Sequence, residues 1–357
     1  NNQKKKVHFN TFVVAVNGSY SLSQMKASEI TSDFLLSYNP KIGDLISLNT
    51  NFGGMRKYSK SELLTAGTSN LVLENIFSLP NTVDGSNWAG EAFSEREKQS
   101  LYGSIDFGFK DFLFINMTGR NDWSSTLPRG EWSYFYPSLG CALIFSELFS
   151  MPKSINLLKI RGSVARTGSD MGPYNTLQYY SVSHGGTIVK SDTRVNDNLK
   201  PEMTTAREAG LDISAFGELF NLNVTVYKTN SENQLIRVLT PPASGYAYKL
   251  TNAGNIENKG IEVILKSVPV RTRNFSWTID ANYSANRNKV IEISPTVDEY
   301  VLRSDWMVDT KIVTGRPFGE MYSKGFERDE YGRILIMEDG RPLTTTARTV
   351  YLGNSRP

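Results

Sequence analysis

Cysteine and histidine are almost absent from this chain of 357 residues. One cysteine, Cys141, cannot close an internal disulfide, and the two histidines, His8 and His184, stand far apart without ligand-like neighbours. A histidine-based metal site or a Ser-His-Asp triad therefore lacks its raw material. His8 reads as strand surface and His184 as loop, while Cys141, inside the apolar run Leu139 to Phe145, reads as a small buried or lipid-facing hydrophobe. An excess of one charge sign is missing too. The 39 Lys and Arg against 36 Asp and Glu leave +3 spread along the chain, so there is no basic stripe of the kind nucleic acid requires. The Lys4, Lys5 and Lys6 run reads as a solvated end. No stretch of about 18 apolar residues occurs, which excludes a membrane helix and leaves a membrane-spanning strand open. There is no glycine-rich phosphate loop and no nucleophile elbow, and the carboxylates of Glu257 and Glu262 fall on opposite parities of one segment. An enzyme is thus the least favoured class, and no cofactor is implied.

What the sequence does have is period-two alternation broken by connections that are short and long in turn. Short joints read at Asn39 to Asp44, Gly108 to Asp111, Glu147 to Lys153, Gly217 to Glu218 and Val270 to Asn274. Between them lie stretches rich in Gly, Pro, Asn and Ser. A chain that rises, crosses a long loop, descends and turns tightly puts all its tight turns on one rim, as an outer-membrane barrel does. In Phe275 to Asn286, Phe275, Trp277, Ile279, Ala281 and Tyr283 share one face, opposite Ser276, Thr278, Asp280, Asn282 and Ser284. That alternation lasts the 9 to 11 or so residues a transmembrane strand needs. Phe220, Leu222, Val224 and Val226 repeat it against Asn221, Asn223, Thr225 and Tyr227. In Asn156 to Thr167, Lys159, Arg161 and Ser163 oppose Leu158, Ile160 and Val164; an aqueous interior accepts such charges where a sandwich core would not. A soluble sheet with one apolar face would show the same parity, so a secreted all-β binding module stays open.

Aromatics cluster at the joints. Phe107, Phe109, Phe112 and Phe114 flank one, Phe216 and Phe220 another, and Phe275 with Trp277 a third, the distribution of an interfacial girdle; Trp132, Tyr134, Phe135 and Tyr136 are the expected belt at the opposite rim. The expected fold is all-β: a partial antiparallel transmembrane β-barrel, with long extracellular loops and short periplasmic turns. Residues 1–290 are read as barrel strands, with long external loops at 55–97, 119–132, 168–205 and 238–257. In the first of these, Leu71 to Phe77 is the one convincing β stretch. Residues 291–357 are read as an irregular external loop with small hairpins leading to a further strand. Within them, the Glu327 to Gly332 and Glu338-Asp339-Gly340 segments lack calcium-loop spacing and read as ordinary turns.

Five stretches carry a resemblance. They are Gly119 to Ser125 followed by Tyr134 to Ser138; Leu158 to Ser163 leading to Thr167-Gly168; Asn198 to Glu202 leading to Gly210-Leu211-Asp212; Asn252-Ala253-Gly254 with Asn258 to Glu262; and Phe275-Ser276-Trp277 with Asn286 to Val290. Their order and spacing resemble the SusC/RagA family of TonB-dependent outer-membrane transporters. The positions that match its motifs are Arg120, Asp122, Ser124, Ser125, Arg161, Gly162, Gly168, Asn258, Lys259, Gly260 and Glu262. Thr126 to Gly130 and Lys200-Pro201-Glu202 depart from the family's local pattern.

The resemblance implies a cell outer-membrane protein importing oligosaccharides or oligopeptides. It implies a SusD-like lipoprotein over the external loops and a TonB-ExbB-ExbD system acting through an N-terminal part. A signal peptide, a TonB box and a plug are not recognisable in the sequence, so the expectation is about half of a barrel of about 22 strands, surrounded by outer-membrane lipid. Asn121, Asp122, Trp123, Tyr179 and Tyr180 are the loop candidates for substrate contact; bracing of their own long loops is the competing reading. A lone porin or lidless receptor is the main alternative for the whole.

Overall fold

Apolar-polar alternation becomes sheet in this chain because each strand has one face for hydrocarbon and one for water, and pairing satisfies every backbone group between them. The computed structural model describes residues 2–11, 15–182, 186–294 and 297–355; His184 lies outside them. In chain order the first strands are β1 (Asn2–Thr11), β2 (Ala15–Tyr38), β3 (Lys41–Ile42), β4 (Ile46–Thr68), β5 (Asn87–Phe109), β6 (Leu113–Ser124) and β7 (Ser133–Ile144). A helical turn, α1 (Phe145–Leu148), leads to β8 (Ile155–Ser169) and the short β9 (Tyr180–Val182), β10 (Ile188–Lys190) and β11 (Thr193–Arg194). Then come β12 (Glu202–Ala215), β13 (Phe220–Leu239), β14 (Tyr248–Arg271) and β15 (Ser276–Glu292). The last four are β16 (Glu299–Ser304), β17 (Val308–Val313), β18 (Glu320–Phe326) and β19 (Thr344–Asn354).

The long strands form one antiparallel meander, β1-β2-β4-β5-β6-β7-β8-β12-β13-β14-β15, with β3 added to β4 and β11 laid parallel on β14. The sheet does not close on itself: β1 lies at one edge and β15 at the other. All five short joints fall where expected, on one rim. At the three-residue β5–β6 joint Lys110 and Asp111 both take positive φ (48° and 58°), the mirror-image turn whose twist matches that of the flanking strands. Neighbouring turns are sewn together through backbone bonds: Lys110 N–H to Leu45 O at 2.8 Å, Ile144 N–H to Phe112 O, Phe216 N–H to Ser154 O and Val268 N–H to Leu219 O, each at 2.7 Å.

Large apolar side chains are exposed along the outer wall, among them Leu36, Phe52, Ile160, Trp277 and Tyr283, each at least 48 % accessible. Cys141 is exposed there as well. A water-soluble sandwich would bury such residues, whereas a lipid-facing wall presents them. Buried apolar clusters occur instead above the wall: Leu127, Tyr134, Met171, Leu199 and Leu250 in one, Val290, Ile293 and Ile312 in another.

The loop boundaries differ from the sequence reading. Strands β4 and β5 pair in unbroken register from Ile46 opposite Phe109 to Thr68 opposite Asn87, so most of 55–97 is hairpin and only 69–86 is loop. Polar cross-strand pairs hold this extension: Arg56 with Glu97 at 2.8 Å and Tyr58 Oη donating to Glu95 at 2.7 Å. Such a polar ladder carries no hydrophobic signature. Likewise β6 runs to Ser124, β8 to Ser169 and β13 to Leu239, which trims the other loops to 125–132, 170–201 and 240–247. Leu71 to Phe77, expected as strand, is irregular. The Asn81 amide captures its backbone, accepting from Val72 and Leu73 N–H and donating to Leu73 and Ile76 carbonyls, and so competes with any ladder.

The expected upper belt is divided: parity separates Phe135 from Tyr134 and Tyr136 on β7, while Trp132 precedes the strand. Trp132 and Phe135 are exposed, while Tyr134 is buried and stacks on Tyr136. Lys4, Lys5 and Lys6 lie within β1, paired with β2. Beyond β15, where an irregular loop with small hairpins was expected, β16 to β19 make an ordered antiparallel sheet. Ile312 of β17 anchors it on Val290 at the top of β15.

Candidate functional site

The inward face near the long-loop rim concentrates charge. Period two sends Ser100 from β5, and Arg120, Asp122 and Ser124 from β6, to the same side as Tyr134 and Tyr136 from β7. Asp122 is 1 % exposed and saturated. Arg120 Nε donates to its Oδ1 at 2.8 Å, Tyr136 Oη to its Oδ2 at 2.9 Å, and Lys98 Nζ lies 3.3 Å away. Arg120 also donates to Ser100 Oγ at 2.9 Å.

A second buried carboxylate, Asp170, joins this cluster from the start of the 170–201 segment. It pairs with Arg96, accepts from Ser124, and lies 3.7 Å from Lys98 and 3.4 Å from the Thr126 hydroxyl that donates to it. Four residues on, Tyr174 Oη accepts the Glu95 N–H at 3.0 Å. The far end of the segment is fastened to another part of the wall. Asn252 accepts the Lys200 N–H at 2.6 Å and donates to the Lys200 carbonyl at 2.7 Å, and the Ala247 N–H donates to Asp192 O at 2.9 Å. The described parts of this segment, 170–182 and 186–201, thus form a strap from the β5–β6 wall to the β13–β14 wall, with its Met171 and Leu199 side chains buried. Its outer part, β9 and β10, presents Tyr179, Tyr180, Val182 and Ile188 to solvent.

The sequence candidates do not converge. Asn121, Asp122 and Trp123 lie on β6 and not in a loop. Asp122 faces inward, while Asn121 points outward and donates to Ser133 Oγ at 3.0 Å, with Trp123 half-buried on that outer face. Tyr179 and Tyr180 lie on the strap, exposed.

Several motif positions acquire a physical reason. A Cβ on Gly168 would come within 2.6 Å of the Tyr134 ring, one on Gly260 within 2.4 Å of Tyr227, and one on Gly210 within 2.6 Å of the Arg161 guanidinium. Each glycine gives its space to a large neighbour. Arg161 pairs inward with Glu208, Asn258 accepts from Asn288 at 2.7 Å, and Lys259 pairs with Glu257 at 2.7 Å. Ser125 Oγ accepts the Glu97 N–H at 2.9 Å, prolonging the β5–β6 pairing. Gly162 sits between the outward Ile160 and Val164, and Glu262 is exposed on the inner face.

Sequence reasoning missed Asp170, Arg96 and Lys98, and marked Asn252 only as part of a motif stretch, without its bonds to Lys200. Arg96 and Asp170 are 74 residues apart, and nothing in either neighbourhood announces the other. A further hollow of about 380 Å³ lies lower on the inner face, edged by Asn49, Asp106, Asn116 and Ser163. Among the described residues no group of His, Cys, Asp and Glu could hold a metal ion. In the two turns considered for calcium, Asp329 accepts the Tyr331 and Arg333 N–H groups and Asp339 that of Arg341, while the same arginines' guanidinium groups pair with the two carboxylates.

A family model for the TonB-dependent receptor-like β-barrel matches residues 5–326. The chain belongs to the TonB-dependent receptor β-barrel family. Among its relatives, TonB-dependent receptor P3 of Formosa agariphila is 26 % identical over 302 residues, 80 % of this chain and 30 % of that protein. TonB-dependent receptor SusC of Bacteroides thetaiotaomicron is 26 % identical over 211 residues, 55 % of this chain and 21 % of SusC. The solved structure of the RagAB peptide transporter shares the fold with a TM-score of 0.77 at 19 % identity, covering 99 % of this chain and 41 % of that one. The chain therefore spans less than a third of the length of the curated relatives named here. Within the TonB-dependent receptor family, a family of outer-membrane receptors and transporters and not an enzyme class, this chain is barrel wall. The secreted-module reading is set aside by that membership.

Proposed function

We propose that this chain supplies about half the barrel of a TonB-dependent transporter that imports oligosaccharides or oligopeptides beneath a SusD-like surface lipoprotein. The observation that carries the reading is the mouth: a polar inner wall crossed by a strap whose two ends are fixed and which exposes Tyr179 and Tyr180. Eleven wall strands, with the short β3 and β11 set aside, are half of a barrel of about 22, a size associated with plugged transporters. In this reading residues 1–290 are wall and 291–357 are extracellular. Force reaches the barrel from the TonB-ExbB-ExbD system through an N-terminal part. Kinship with SusC and fold likeness to the RagAB peptide transporter support a large substrate and a lipoprotein partner. Tyr179 and Tyr180 are the residues we assign to first contact, since exposed rings stack on sugars or pack on peptide.

The test is extraction of the full-length receptor in mild detergent, with mass spectrometry of bound proteins, beside uptake of labelled oligosaccharides and oligopeptides by cells carrying Tyr179→Ala with Tyr180→Ala. A stoichiometric lipoprotein and reduced uptake at unchanged receptor abundance are expected. A receptor recovered alone, with uptake that ignores TonB, would mean a porin.

A further inference from the structure

One row of paired positions on the outer wall is basic from strand to strand. Arg207 of β12 lies opposite Lys228 of β13, Lys228 opposite Lys259 of β14, and Lys259 opposite Arg287 of β15. Like charges directly opposite one another weaken a sheet, so a row of this kind costs stability unless something anionic meets it. Within the chain only partial relief is present. Glu257, just above, takes Lys228 at 2.6 Å and Lys259 at 2.7 Å. Among the described residues Arg207 and Arg287 enter no ion pair, and both are exposed.

The row's level is set by the strands themselves. Four residues lower on each strand lies the paired row Leu211, Val224, Val263 and Tyr283, on the same outward face. The tight turns lie at the bottom of these strands, so the basic row caps the apolar band on the long-loop side. In an outer-membrane barrel that is the headgroup level of the outer leaflet. β12, β13 and β14 each have neighbours on both sides, so no missing strand covers their part of the row. A second copy meeting this face about a two-fold axis would set cation against cation. Arg and Lys in a line instead match phosphate oxygens, which Arg takes through two parallel N–H bonds.

We infer that this row is a binding site for a phosphate-bearing lipid of the outer leaflet. The site is independent of what the barrel transports. Its test uses the full-length receptor in mild detergent, mixed with phosphorylated lipid A or with the same lipid stripped of phosphate, and native mass spectrometry of what is retained. Wild type should keep the phosphorylated lipid, and Arg207→Gln with Arg287→Gln should lower retention about tenfold or more, an energy step typical of lost charge pairs. Arg207→Lys with Arg287→Lys should keep most of it, and Arg129→Gln, an external-loop cation outside the row, should keep all of it. Heat-dependent gel mobility of each variant establishes that the barrel has formed. Equal retention by the glutamine variant, or equal retention of both lipids, would reduce the site to ordinary lipid contact and overturn the proposal. So would a protein cross-linked to Lys259 in place of lipid.

Discussion

Asp122 is almost wholly withdrawn from solvent yet lies between Arg120 and Lys98, with the Tyr136 hydroxyl completing its coordination. Removing the carboxylate leaves Arg120 without its counter-charge and Lys98 with only Asp170, at 3.7 Å, and breaking a buried pair from one side costs about 3 to 5 kcal/mol. Asp122→Ala should therefore destabilise the complete barrel by that order, read from the midpoint of thermal or denaturant unfolding, with Asp122→Asn intermediate because it still accepts from Tyr136 and Arg120. An unchanged midpoint for the alanine variant would mean that water replaces the carboxylate freely at the mouth. At this scale the sequence was half legible. The Gly-Arg-Asn-Asp-Trp stretch marked Arg120 and Asp122 as special, and in the structure both bond to side chains of the wall. Asp170 and Lys98 carry no local mark, because the strap brings Asp170 to Arg96 and Lys98 from more than 70 residues away in the chain, and Lys98 meets Asp122 only across the β5–β6 pair.

On single strands the alternating pattern makes a sharp prediction. Val224 faces outward opposite Leu211 and Val263, whereas the neighbouring Asn223 donates to Asp212 on the inner face. Val224→Arg should cost the assembled barrel about 2 to 4 kcal/mol, and Asn223→Arg, beside that carboxylate, should be tolerated. Refolding yields in lipid vesicles check both, and equal yields would invert the face assignment. The turns outside the spanning strands make a pH prediction. The Asp329 carboxyl is held below its usual range chiefly by the Arg333 N–H, with the Arg333 side chain and the Tyr331 N–H adding to it. For Asp339 the Arg341 guanidinium comes first and its N–H second. A carboxyl lowered in the folded state stabilises the turn above its unfolded value, about 3.9, and that contribution is lost as pH falls through the lower folded value. Amide exchange at Tyr331, Arg333 and Arg341, corrected for intrinsic rate, should therefore quicken below about pH 4; protection unchanged at pH 3 would detach the turns from their carboxylates. Strand faces and tight joints were legible because both follow from local parity and backbone geometry. The upper hairpin of β4 and β5 was not, since polar residues fill both faces of β4 from Arg56 to Glu62 and break the apolar alternation. The sheet of β16 to β19 was obscured by its short, irregularly paired strands, with register shifts between β16 and β17 and along β18 and β19.

The wall as a whole has two free edges, β1 and β15, and that decides what the chain can do alone. In hydrocarbon each unpaired backbone N–H or C=O costs several kcal/mol, and a spanning strand exposes a row of them, so an open sheet of this width has no stable place in a bilayer. In water its obstacle is the opposite one. Trp277, Leu36 and Phe52 on the outer wall are more than half exposed, and both edges invite pairing with other copies. The chain expressed by itself should therefore fail to give the heat-dependent gel shift of a closed barrel in vesicles and should collect as edge-paired aggregates. Supplied with the remaining strands, as a second polypeptide or in one longer chain, it should regain the shift and resist protease up to the long-loop rim. A closed, protease-resistant barrel formed by the 357 residues alone would show that β1 and β15 can meet, giving a lumen of half the expected strand number and too narrow for the transport proposed above.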